Sequence, residues 1–283
     1  MYNLRKIGFE QLFILNHNRR IVDDDLALNL GATYTYALNE VEGSSIKVFR
    51  EKLDKRYSKV LFVEKIFIED KFTALLKEIL KINEVKDNQL YLDEDWFNSN
   101  NRKRIINNGE TNITNWITIQ PLSSNQIKDL DAFKLRLMIA YLQAKGLKYI
   151  FILGSKNQFN KINKMMSKFI GVYNLAGSLS LVESFYLVKH SKLFIGVDSV
   201  MSHVAIHYDV PRILFIGGGS SSMMFPANSY YKQKTKEKLL FSKMDCFGCN
   251  WNCKYKLPLC LNQIKDEEID AAIEVLLSNH VFE

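Results

Sequence analysis

No apolar run in this chain approaches the roughly eighteen residues that a membrane-crossing helix needs, which argues against a helical span. The opening Met1-Tyr-Asn-Leu-Arg-Lys-Ile-Gly8 lacks the apolar core of a secretory signal, so a cytoplasmic location is expected. Neither common glycine fingerprint for phosphates occurs, so a bound phosphate would need another cradle. There is no internal repeat. Cysteine is scarce as well, and its distribution is uneven: all four residues fall between Cys246 and Cys260.

The 283 residues are 47% apolar and 24% charged, the balance of a globular protein with one large domain or two ordinary ones. A formal charge of +7 favours acidic partners such as nucleotide phosphates or an anionic membrane surface. The densest basic stretch is Lys232, Lys234, Lys236 and Lys238, followed by Lys243, Lys254 and Lys256. It reads as a solvated loop or as a patch for peripheral contact with a membrane. Nucleic acid is the weakest reading, because no nucleic-acid motif accompanies the charge.

From residue 116 onward, short apolar runs alternate with helical patterns. Strands are expected at 116–120, 149–153, 193–197 and 212–216, and helices at 131–144, 159–169, 200–207 and 265–277. Ser180-Leu-Val-Glu183 has capping-box spacing and predicts a helix running to about His190. This order implies a parallel sheet covered on both faces. Residues 1–97 are less regular, with strands expected at 11–15 and 59–63 and a helix at 71–80. The segment 98–115, rich in Asn, Arg and Lys, reads as a linker before a domain spanning 116–283.

Ligands of open parallel sheets bind beyond the carboxyl ends of the strands. There the chain carries Ser123, Ser124 and Lys128, then Asp198, Ser199 and His203, then Gly217-Gly-Gly-Ser220. Two hydroxyls and a lysine beside a helix start suit a diphosphate, because free N–H groups and the helix dipole add to the lysine charge. An ordinary capped loop with an exposed lysine has the same pattern. Asp198 could accept from ligand hydroxyls or cap the next helix, and His203 could donate to a phosphate or satisfy a structural role. The spacing Cys246-x2-Cys249-x3-Cys253-x6-Cys260 suits four-thiolate zinc or iron more than paired disulfides or free structural thiols. With all four thiols engaged, such an ion would be structural rather than catalytic.

In the order Gln120-Pro121, Ser123-Ser124, Lys128, Leu153-Gly154, Asn174-Leu-Ala-Gly177, Leu181, Asp198-Ser199 and His203, the chain resembles glycosyltransferase family 9, which includes lipopolysaccharide heptosyltransferases. Val210-Pro211, Gly217 and the cysteine cluster extend the likeness, which covers 116–283 and weakens back to Phe9. The resemblance implies an α/β architecture of the GT-B type: a Rossmann-like carboxyl-terminal donor domain and an amino-terminal acceptor domain, here incomplete. It implies inverting transfer from a nucleotide-sugar such as ADP-heptose to a glycolipid or surface glycan, without a catalytic metal. Ser123, Ser124 and Lys128 would meet the donor diphosphate and sugar, and Leu179 would line the base pocket. Asp198 and Ser199 would hold sugar or phosphate, with His203 beside them. Three positions depart from the family pattern: Val200 replaces a glycine, Gln158 stands at an acidic donor contact, and the glycine-aspartate turn expected to supply the general base has no counterpart. The acidic run Asp23–Asp25 fits a helix start better than a replacement base. An enzyme without that turn would be feeble, or would be a shortened relative that binds nucleotide or assembles with itself or a partner. A nucleotide-sugar epimerase on the same architecture is a third reading.

Overall fold

The computed structural model describes residues 8–15, 21–39, 47–62, 68–82, 92, 115–166, 169–220 and 236–278. The chain divides into two compact units, Met1–Asp87 with Ser222–Met224, and Asn88–Ser221 with Phe225–Glu283. The expected linker lies, up to residue 114, outside the described residues.

In the first unit, β1 (Gln11–Ile14), β2 (Tyr34–Leu38) and β3 (Lys59–Leu61) form a parallel sheet in that order. Helices α1 (Ile21–Asn29), α2 (Lys47–Asp54) and α3 (Ile68–Leu80) alternate with them. Strand β2 was not expected: it is a tyrosine-threonine-alanine run without a sustained apolar pattern, and it is a strand because both neighbours pair with it. Its Ala37 packs with Ala27 and Tyr57 in a small core. Asp24, fully buried on α1, accepts the Tyr57 hydroxyl at 2.7 Å. The acidic run therefore starts a helix, and its middle carboxylate is engaged inside the unit.

The second unit contains a six-stranded parallel sheet in the order β6-β5-β4-β7-β8-β9. Its strands are β4 (Ile117–Gln120), β5 (Ile150–Ile152), β6 (Val172–Asn174), β7 (Leu193–Val197), β8 (Arg212–Phe215) and β9 (Glu237–Leu240). The helices are α4 (Ala132–Ala144), α5 (Phe159–Met166), α6 (Leu181–Lys189), α7 (Val200–His207), α8 (Leu259–Asn262) and α9 (Asp266–Ser278). Side chains alternate across the sheet, as strand geometry requires. Ile117, Ile119, Ile150, Ile152, Ile195 and Phe215 pack with α4, α5 and α9, whereas Trp116, Phe151, Phe194 and Leu214 pack with α6 and α7. Gly196 leaves room for the Phe194 ring, which would stand 2.7 Å from an added Cβ.

Part of the lysine-rich stretch is a strand rather than a loop. Strand β9 pairs Glu237 with Arg212 of β8, and the almost fully buried guanidinium reaches Glu237 at 2.7 Å and the Val210 carbonyl at 3.1 Å. A buried arginine needs such partners, and they are what place a charged sequence in the sheet. Lys232 and Lys234 lie outside the described residues. Among the described residues, no helix is long and apolar enough to cross a membrane.

Candidate functional site

Strands β5 and β6 lie on one side of β4, and β7, β8 and β9 on the other, so the strand order reverses between β4 and β7. The crevice at such a reversal is the preferred ligand position of open α/β sheets. The loop after β4 enters it through a 3-10 turn, Gln126–Lys128, whose start is capped by Asn125. Aligned side by side, β4 and β7 bring Lys128 and Asp198 together across 70 residues of sequence, with the ammonium 2.5 Å from the Asp198 carboxylate.

Asp198 is buried and densely held. Its Oδ2 receives Lys128 and the Ser220 hydroxyl, and its Oδ1 lies 4.0 Å from His203 Nε2. Burial lowers the His203 pKa below its ordinary value. Asp198 opposes that shift and Lys128 reinforces it. Although 43% of the His203 side chain is exposed, the cost of desolvating the imidazolium is the leading effect. Ser199 is the N-cap of α7 but makes no side-chain capping bond; its hydroxyl lies 3.4 Å from that of Ser202. An anion entering here would face the amino end of α7 together with the Lys128 cation.

The remaining expected residues are placed less directly. The Ser123 hydroxyl accepts from Asn125 N–H, and its own N–H donates to Asp129, so Ser123 shapes the loop. Ser124 is exposed on the same loop. Leu179 follows β6, two strands from β4 or about 10 Å by strand spacing, and packs half-buried on the core beneath α6. Gln158 closes a capping box with Ser155 and donates to the Ser123 carbonyl at 2.9 Å. An ionised carboxylate could accept from Ser155 but could not donate to Ser123, so the amide suits a position where an acid was the family expectation.

Sequence reasoning under-read Ser220 and missed Trp251. The Trp251 ring lies 5.1 Å from Lys128 Nζ, and its N–H donates to Ser220 Oγ at 3.0 Å. The glycines before Ser220 accommodate this contact: added Cβ atoms at Gly218 and Gly219 would stand 2.8 Å from Phe247 and 2.6 Å from Trp251. Trp251 (φ 62°) and Asn250 (φ 47°) both occupy the left-handed region, which costs about 1–2 kcal/mol per residue. An aromatic within a cysteine cluster was the only available signal, and no periodicity points from it to Lys128.

The four cysteines are free thiols, Cys260 buried and the others half-buried. Burial raises the Cys260 pKa, the Gly218 N–H lowers it, and the neighbouring Cys246, Cys249 and Cys253 raise it further. The donor atoms suit zinc or iron and lie in one neighbourhood. Among the described residues, however, no three His, Cys, Asp or Glu side chains gather closely enough to hold an ion.

Residues 51–247 match the profile of glycosyltransferase family 9 (heptosyltransferase). Lipopolysaccharide heptosyltransferase 3 of Escherichia coli is 27% identical over 136 residues, which is 44% of this chain and 40% of that protein. The solved ADP-heptose lipopolysaccharide heptosyltransferase II of E. coli superposes with a TM-score of 0.70 at 16% identity, covering 98% of this chain and 79% of that one. More distant is the dodecameric iron-containing heptosyltransferase TibC in complex with an ADP-heptose, with a TM-score of 0.51, 14% identity, and 96% and 76% coverage. These structural likenesses establish a shared GT-B fold.

Proposed function

This chain belongs to glycosyltransferase family 9, and from that premise we propose that it transfers heptose or a related sugar from a nucleoside-diphosphate donor to lipopolysaccharide, lipooligosaccharide or another surface glycan. The proposed reaction inverts the anomeric carbon. The observation that carries this reading is the Lys128–Asp198 pair at the point where the strand order reverses. ADP-heptose is the favoured donor, because relatives on this fold act on it or have been solved with it.

The chemistry follows from charge. Breaking the anomeric bond leaves negative charge on the departing diphosphate, and a fixed cation beside it lowers the barrier by electrostatic stabilisation. Lys128 supplies the cation, and the amino end of α7 adds N–H groups. Asp198 orients Lys128 and presents its second oxygen to donor hydroxyls, while His203, predominantly neutral at pH 7, can donate one hydrogen bond without adding charge. The acceptor hydroxyl, approached from the cytoplasmic face of the membrane, would lose its proton to a carboxylate as it attacks the anomeric carbon. The four thiols take no part in the proposed transfer.

A second reading, an impaired relative that binds nucleotide or serves in assembly, is favoured by the engagement of Asp24 with Tyr57, which occupies the buried member of the acidic run. Calorimetric titration with ADP, UDP, GDP and CMP, followed by a transfer assay, separates the two. Selective binding lost in Lys128→Ala, together with transfer, is the expected result. Binding without transfer would establish the nucleotide-binding form of the second reading, and no binding by any nucleotide would leave its assembly form.

A further inference from the structure

We propose that Trp251 is a positioning residue for the donor site: its indole fixes where the Lys128 ammonium and the Ser220–Asp198 pair stand, and so couples the cysteine segment to donor binding. This inference rests on the reading of Lys128 and Asp198 as donor contacts. A lysine ammonium sits on a flexible four-carbon stem and has no fixed direction of its own. Here it is held between the Asp198 carboxylate at 2.5 Å and the face of the Trp251 ring at 5.1 Å. An aromatic face attracts a cation without neutralising it. A second carboxylate in that place would cancel the charge that an incoming diphosphate needs.

The indole also sets the direction of a hydrogen bond. A serine hydroxyl has one proton and can accept as well as donate. Because Trp251 N–H donates to Ser220 Oγ, the serine proton is left to point at Asp198 Oδ2. One side chain thus acts on both members of the Lys128–Asp198 pair. Its seat is specific: Gly219 has no Cβ where one would stand 2.6 Å from the indole, and the chain adopts left-handed backbone at Asn250 and Trp251 to deliver the ring. Strained backbone of this kind persists only where the surroundings over-determine it. Trp251 lies two residues after Cys249 and two before Cys253, so whatever fixes those thiols also fixes the ring.

The test is a double-mutant cycle on the full chain with wild type, Trp251→Leu, Lys128→Met and the double variant, plus Trp251→Phe. Each is titrated with whichever of ADP, UDP, GDP and CMP the wild type binds, and each is unfolded in urea without nucleotide. Trp251→Leu is expected to weaken nucleotide binding by about 3- to 30-fold, the range of a partly desolvated cation–π contact. Trp251→Phe keeps a ring face and should recover part of the loss, which a purely packing role for the indole N–H side would not predict. Lys128→Met should cost less in the Trp251→Leu background than alone. Wild-type affinity in Trp251→Leu, or full additivity in both readouts, would overturn the proposal. If the wild type binds no nucleotide, the donor reading falls, and the urea cycle decides the Trp251–Lys128 coupling: non-additivity retains it and additivity removes it.

Discussion

Asp198 makes more contacts inside the protein than its place at a strand end signals. Its position after an apolar strand pointed to a ligand contact or a helix cap. In the structure the cap position belongs to Ser199, and Asp198 is the centre of a buried polar cluster. Removing one member of a buried pair leaves the other charge uncompensated. Lys128→Ala is therefore expected to lower unfolding stability by about 3–5 kcal/mol, measured by urea denaturation, with Lys128→Arg losing less. His203 gives a pH prediction of definite sign. Its folded pKa is depressed, so above about pH 6.5 both folded and unfolded forms are neutral and the residue contributes no slope. As pH falls below that value the unfolded chain takes up the proton first, and stability declines until the folded form is also protonated. His203→Gln should flatten the stability profile below about pH 6.5; an unchanged profile there would remove His203 as its source.

At the scale of elements, the second unit was legible wherever a local rule sufficed. The capping box at Ser180 is present in full: the Ser180 hydroxyl accepts from Glu183 N–H at 3.2 Å, and the Glu183 carboxylate accepts from Ser180 N–H at 2.6 Å. Ser180→Ala is expected to cost about 1 kcal/mol, read as a shift in the urea midpoint at unchanged slope. Strands β7 and β8 were evident as continuous apolar runs because both of their faces are buried. Strands β2, β6 and β9 were not evident. Each is three to five residues long and carries polar or charged positions, and each exists because a neighbouring strand supplies its hydrogen bonds. The triple glycine after β8 leaves room for the rings of Phe247 and Trp251.

At the scale of the molecule, the cysteine segment is joined to the sheet edge rather than set apart from it. Gly218 donates to Cys260 Sγ and accepts from Gly248 N–H at 2.8 Å, so the segment lies against the loop that carries Ser220. If the thiols bind zinc or iron, elemental analysis of the purified chain should find about one ion per chain. Chelation should then lower the melting temperature, and Cys253→Ser should lower metal content. Metal-free protein with four titratable thiols and unchanged stability under chelator would establish these residues as free structural cysteines.

The sequence by itself determined the α/β alternation, the caps, and the strand ends that carry Lys128, Asp198 and His203, because each depends on residues close together along the chain. It also carried enough ordered motif to identify the family. The tertiary structure alone decided that Lys128 and Asp198 form an ion pair, that Gln158 ties two loops together, that Arg212 recruits β9, and that Trp251 covers Lys128. These contacts join residues 25 to 123 positions apart. No local propensity encodes them; they arise when the sheet fixes the strand order and brings separate loops to one edge.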